Sequence, residues 1–253
     1  MADTTGPARP SALSAYLRLL PVVLAEFRTT GPFYVFFSVL LPAGILFFVN
    51  TSGGDVDLRY LAGGALAASL AMGPAVMLCA RLGLAREHHE FDYWATLPVP
   101  KVSLVLALCT GHLLFSLPGV AAMLALGWFL LGIPGTGVLA ALPLVPLAAL
   151  TLAGLGAFLG SRAPNSIVGN LIGNLVLAVA LFLSPLMTRL DAYPALLKPV
   201  AYAIPTTYVA DAFRHVFHAG PVLVPFWVDL AVMGGLTAAL LVLTHRLLDW
   251  RGR

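Results

Sequence analysis

The residues able to do chemistry are few, and many of them gather in one interval, Arg81 to Lys101, RLGLAREHHEFDYWATLPVPK. His88 and His89, flanked by Glu87 and Glu90, first suggest metal ligation. Adjacent histidines point to different faces of a helix, however; the pair spaced i, i+4 is His88 with Asp92, and no HExxH is present, so no metal is expected. Nucleotide chemistry is no better served. Of the two lysines, Lys101 precedes a valine and Lys198 a proline, so neither belongs to a GxxxxGKS/T phosphate cradle. Intramembrane hydrolysis would need paired acids or a Gly-x-Ser-Gly with a partner histidine, and the sequence offers neither. No catalytic residue and no cofactor is expected on this chain.

What the interval does offer is charge and shape. Phe91, Trp94, Ala95 and Pro98 recur at i, i+3, i+4 and i+7, while Glu87, His88, Glu90 and Asp92 occupy the other side, the pattern of a short amphipathic helix over 86–98. Such a helix lies on a surface. It is expected at the cytosolic membrane face, pushed by a partner protein through Glu87, Glu90, Phe91, Trp94, Leu97 and Pro98. Its net charge of −2 over Arg86–Asp92, histidines neutral, suits a groove of some basic character. Plain solvation would account for the same carboxylates.

The elements around this interval are hydrocarbon. The chain is 60% hydrophobic and 10% charged, where a soluble domain is about 45–50% apolar and about 25% charged. So large an apolar excess defines an integral membrane protein. The small net charge of +3, with Lys and Arg at segment ends and in no basic stripe, excludes nucleic acid as a partner. Cys79 and Cys109 lie in apolar segments with no ligand spacing and read as packing residues.

Six stretches reach the length of about 20 residues that spans a bilayer: 33–50, 60–80, 102–131, 138–160, 167–187 and 222–245. Before them, Leu13, Tyr16, Leu17, Leu20, Leu24 and Phe27 repeat at helical spacing over 11–28, which predicts a helix lying in the interface; Arg18 and Pro21 exclude a signal-peptide core. Ten of the fourteen basic residues fall on the side of the termini and of Arg81–Lys101, which places both termini and that interval in the cytosol of a multi-pass cell-membrane protein. The long connection 188–221 is too apolar for a free loop, and Pro194, Pro199 and Pro205 forbid one continuous span, so two short helices re-entering the outer leaflet are expected.

Three polar features inside the apolar stretches admit two readings each. Asp229 either sits at the interface behind Phe226 and Trp227, or is a buried carboxylate that would pair with Arg214 and hold an outer gate shut. His112 is either a pathway residue or a histidine bonded to a neighbouring carbonyl. Gly154, Gly156, Gly160, Gly169 and Gly173 serve either packing within the chain or a dimer or pathway surface, and Asn170 and Asn174 share a helix face. The second and fifth spans are the expected pathway wall.

The order of these parts resembles the permease subunit of ABC transporters of the type-2 export family. The resemblance rests on WATLPVPKVSLVLAL opening the third span, where Ala95, Thr96, Leu97, Pro98 and Val99 stand in place of a Leu-Ala/Ser-Thr-Pro-Val-like string, with a Leu inserted. It rests also on AYAIPTTYVADAFR in the outer segment, where Ile204-Pro205-Thr206-Thr207-Tyr208 leads to Asp211 and Arg214, with Ile replacing the family's usual Asn. It covers the chain from about Ser11 to Arg246. It implies a single all-α permease domain over 1–253 with six spans, an interfacial helix (11–28), a cytosolic coupling helix (86–98) and a re-entrant outer segment (188–221) whose gate includes Pro205, Tyr208, Asp211, Arg214 and Asp229. It further implies a homodimer or a pair with a similar permease, and a separate ABC ATPase subunit carrying ATP and Mg. The cargo would be an amphiphilic drug, lipid or polysaccharide moved outward. The competing reading, an ATP-independent carrier or channel, predicts internal repeat symmetry or several buried charges, and neither is evident.

Overall fold

The computed structural model describes residues 11–26, scattered positions between 31 and 51, 57–97 and 99–247. Its elements are helical throughout, and no strand occurs among the described residues. The first helix, α1 (Ala12–Ala25), is capped by Ser11, whose Oγ accepts the Ser14 N–H at 3.3 Å. It buries Ala15 and Val23 and lays Tyr16 and Leu19 on the following bundle, leaving Leu13, Leu17 and Val22 exposed as an outward apolar face.

Among the described residues, five helices are long and apolar enough to cross a membrane: α2 (Leu58–Glu87), α4 (Lys101–Leu130), α5 (Gly135–Gly160), α6 (Ser166–Leu183) and α9, whose span is Phe226–Arg246. The first expected span, 33–50, lies largely outside the described residues. Between α2 and α4 stands α3 (Glu90–Thr96). The outer segment holds a 3-10 turn at Leu190–Ala192, then α7 (Lys198–Ala203) and α8 (Pro205–Phe217). Its prolines act as the sequence suggests: Pro199 and Pro205 fall in the first turns of α7 and α8, where a missing N–H costs nothing.

Helix α2 departs most from the sequence reading. It runs seven residues beyond the expected end at 80, because Arg81, Arg86 and Glu87 all find partners on neighbouring elements. Midway, Ala71–Met77 widens into a π turn around Pro74, which lacks the N–H for an ordinary turn. The helix stops at His88–His89, where His89 takes a left-handed backbone (φ 56°). The amphipathic helix expected over 86–98 is therefore a shorter one, Glu90–Thr96, set off from α2 by that sharp turn.

Around α2 the rest is arranged: it packs against α4, α5, α6 and α8. Of its span 89% is buried, against 22% for α6 and 17% for α9. Without a hydrophobic force between helices in lipid, such enclosure depends on close backbone approach, and glycines supply it. A Cβ on Gly156 would stand 2.5 Å from the Ala75 carbonyl oxygen, one on Gly160 2.6 Å from Cys79 Cα, and one on Gly173 2.9 Å from the Val76 carbonyl oxygen. These glycines thus pack α5 and α6 onto α2 within one chain. Enclosed on so many sides, α2 does not offer the open wall of a pathway. The outward face of α6, with Ile167, Asn170, Leu171, Asn174, Leu175 and Phe182, remains uncovered.

Candidate functional site

At one end of the bundle, a compact set of charges ties the last turns of α2 to α3 and to the ends of α1, α5 and α6. Arg81, near the end of α2, donates from Nη1 and Nη2 to both oxygens of Glu90 (3.2 and 2.8 Å) and from Nε to Glu26 just past α1 (3.0 Å). All three side chains are largely shielded, with 18%, 28% and 36% exposure for Arg81, Glu90 and Glu26. Glu87 accepts both the backbone N–H and the hydroxyl of Ser166, at 2.9 and 2.6 Å, placing a carboxylate on the first turn of α6, where the helix dipole favours it. Arg86 donates to the Ser161 carbonyl at 2.6 Å, beyond the end of α5. One short interval therefore grips α1, α5 and α6 together.

The apolar side of α3 completes the grip. Phe91 is buried beside Leu78, Leu82, Leu104, Val105 and Leu108 from α2 and α4. Trp94 meets it edge to face, with ring centroids 5.1 Å apart, and Arg81 lies 5.9 Å from the Trp94 ring centroid. Leu97 caps the helix, half-buried, with its N–H on the Trp94 carbonyl. Ala95, expected on the apolar face, is exposed, and Pro98 lies outside the described residues. Glu90 is held by Arg81 and one oxygen of Glu87 by Ser166, while the exposed surface of the interval comprises Glu87, His88, His89, Asp92, Tyr93, Ala95 and Thr96. Arg81, Glu26 and Ser166 were not singled out by spacing. The only signal was a charged residue at the edge of an apolar run.

At the opposite end stands the segment expected to be outer, 188–221. Nine of the twelve residues of α8 from Thr206 to Phe217 are buried, and the other three partly so. Arg214, wholly buried, donates to the Tyr60 carbonyl at 3.2 Å and to the Pro185 and Leu186 carbonyls at 2.6 and 3.1 Å, with its guanidinium 3.5 Å from the Tyr60 ring centroid. It clasps α8 to α2 and to the turn after α6. Asp211 accepts the N–H groups of Leu223 and Val224 at 2.9–3.1 Å, holding the loop before α9. Burial pushes its carboxyl up, and those N–H groups, Arg214 and His215 pull it back down. Tyr208 donates to the Tyr202 carbonyl at 2.7 Å, and Pro205 starts the helix.

Asp229 stands in the first turn of α9, behind Phe226 and Trp227, and is fully buried, with His215 as its ionic neighbour at 3.6 Å. Arg214 is turned away onto backbone carbonyls, so the pairing of Asp229 with Arg214 does not form. His215 is four-fifths shielded and bonds the Val224 carbonyl at 2.8 Å. His112 bonds the Leu108 carbonyl of its own helix at 2.9 Å. Beside Tyr60 opens a cavity of about 530 Å³ lined also by Asp57, Met187, Thr188, Arg189 and Gly220 among others, so that both charge signs line it.

A bundle of apolar spanning helices, with a charged grip at one end and a buried, proline-started helix at the other, defines a multi-pass helical membrane protein. The family model of the ABC-2 type transporter matches residues 18–218, most of the chain. The protein belongs to that family and is an ABC-type permease. The family resemblance drawn from the sequence stands on this match. No curated protein matches the sequence.

Proposed function

We propose that this chain is the transmembrane subunit of an ATP-driven exporter, powered by a separate ABC ATPase chain that carries the ATP and Mg. The observation that carries the reading is the grip of α2 and α3 on three other helices. An ATPase pressing on the exposed face of α3 (His88, His89, Asp92, Tyr93 and Thr96) would move α1 through Glu26, α2 through Arg81, and α6 through Glu87 and Ser166. Both termini and α3 lie in the cytosol, in agreement with the basic-residue bias, and the membrane is the cytoplasmic one. The chain itself is not an enzyme. It works as a homodimer or beside a similar permease, with the open face of α6 available to the second copy or to the path. The cargo is amphiphilic, of the drug, lipid or polysaccharide type, and leaves past residues 188–214.

The test is co-purification. A tagged chain is extracted gently from native membranes, and bound ATPase is identified by mass spectrometry, with Tyr93→Asp and Leu97→Asp as variants. Recovery of an ABC ATPase that both variants lose, with insertion intact, supports the reading. A homo-oligomer free of ATPase, under conditions that preserve a known ABC complex, would overturn it in favour of an ATP-independent carrier or channel.

A further inference from the structure

Where α8 meets α9, three potential ligands converge. Asp211 and His215 are spaced i, i+4 and so share one face of α8; Asp229 lies in the first turn of α9. A ligand atom from each lies within 4.8 Å of the other two. The Asp229 carboxylate is 0% exposed, and among the described residues neither of its oxygens has a hydrogen-bond partner. A buried carboxylate with no donor is costly by several kcal/mol unless a cation meets it.

We propose that Asp211, His215 and Asp229 bind a divalent first-row transition ion of the zinc class. One imidazole nitrogen with two carboxylates is a borderline donor set of that type, and it is too poor in oxygen ligands for calcium. Ligands at about 2.1 Å around one tetrahedral ion stand about 3.4 Å apart, so the widest pair of the cluster closes by about 1–1.5 Å on binding. The first turn of α9 and the Asp211 side chain, held by two backbone N–H groups, limit where that closure occurs. The Val224 carbonyl, now 2.8 Å from His215 Nε2, is released when the ring proton moves to Nδ1 and Nε2 ligates, and it offers a further oxygen. The ion enters along His215, the one member with an exposed edge (20%).

A proton alone answers the geometry less well. His215 Nε2 already directs its hydrogen to Val224, and a protonated Asp229 would need an acceptor that the described residues do not supply. The bound ion would staple α8 to α9 across the intervening 218–225 loop. This inference stands on the cluster and does not depend on the direction of transport.

The full chain, purified in detergent or nanodiscs and stripped with a chelator, is dialysed against Zn²⁺ alone. Metal content is read by mass spectrometry, and Co²⁺ substitution by visible absorption. About one equivalent per chain, with Co²⁺ ligand-field bands, falling to background in both Asp229→Asn and His215→Gln, is the expected result. Zn²⁺ should also raise the unfolding temperature of the wild type and leave that of Asp229→Asn unmoved. A wild type that holds no stoichiometric zinc overturns the proposal whether or not the variants fold. So does zinc binding that survives both substitutions.

Discussion

Arg81→Met tests whether the charged grip is an energetic unit. The thioether keeps the side chain's length and packing beside Trp94 while removing three charged hydrogen bonds, two to Glu90 and one to Glu26. Exposed pairs contribute about 0.2–1 kcal/mol, and breaking a buried pair costs about 3–5 kcal/mol. With exposures of 18% and 28%, and a bidentate geometry, Arg81–Glu90 falls between those limits, and we expect about 1.5–2 kcal/mol of coupling. Arg81–Glu26 has one bond and a partner 36% exposed, so about 0.5–1 kcal/mol is expected. Two double-mutant cycles, Arg81→Met with Glu90→Gln and Arg81→Met with Glu26→Gln, read by reversible unfolding in mixed micelles, measure both coupling energies. Values within about 0.3–0.5 kcal/mol of zero, or a stronger coupling to Glu26 than to Glu90, would refute the reasoning.

Gly156→Ala should destabilise the bundle by about 1–3 kcal/mol, because its methyl group meets backbone carbonyls of α2 that cannot step aside, whereas Gly234→Ala, with nothing within 4 Å, should be neutral or stabilising; thermal unfolding of the two side by side checks the contrast. Arg214→Lys should cost about 2–4 kcal/mol despite keeping the charge, since an ammonium cannot reach the Tyr60, Pro185 and Leu186 carbonyls at once, and detergent-resistant folded yield is the readout. Ser166→Ala removes the hydroxyl bond to Glu87 and should lower transport with little change in folded yield, while Glu87→Gln retains a weaker acceptor and falls between; reconstituted ATPase and efflux rates measured together distinguish lost coupling from lost assembly.

Hydropathy made the spans legible because a bilayer requires long apolar runs, and α4 and α5 begin and end within about three residues of their expected bounds. Periodicity also located Phe91 and Trp94 correctly as the inward side of α3. It missed the end of α2, because Arg81, Arg86 and Glu87 read as a polar boundary until their partners, distant in sequence, are in place. Spacing assigned Glu87 and Glu90 to a partner surface; that Arg81 also holds Glu90, and Ser166 one oxygen of the exposed Glu87, is revealed only by three-dimensional packing. Asp229 shows the other limit. Its buried state was one of two readings, but its neighbour was mistaken, since α8 turns His215 toward α9 and Arg214 toward α2 from positions one residue apart.

That alternation along α8 suggests how the two ends of the bundle communicate. Arg214 is bonded to the Tyr60 carbonyl in the first turn of α2, and Arg81 sits near the last turn of the same helix. Between them lies the π turn at Ala71–Met77, flanked by Gly156 and Gly173 in near backbone contact. A helix gripped at both ends and clasped by backbone along its middle cannot slide without carrying α5 and α6 with it. The π turn is the one place in α2 where the hydrogen-bond ladder departs from regular α geometry, and so the place where twist can be absorbed at least cost. Under the function proposed above, movement imposed on α3 would therefore reach α8 as a rotation of the Tyr60 half of α2 about that turn, rather than as a change in the spacing of the spans.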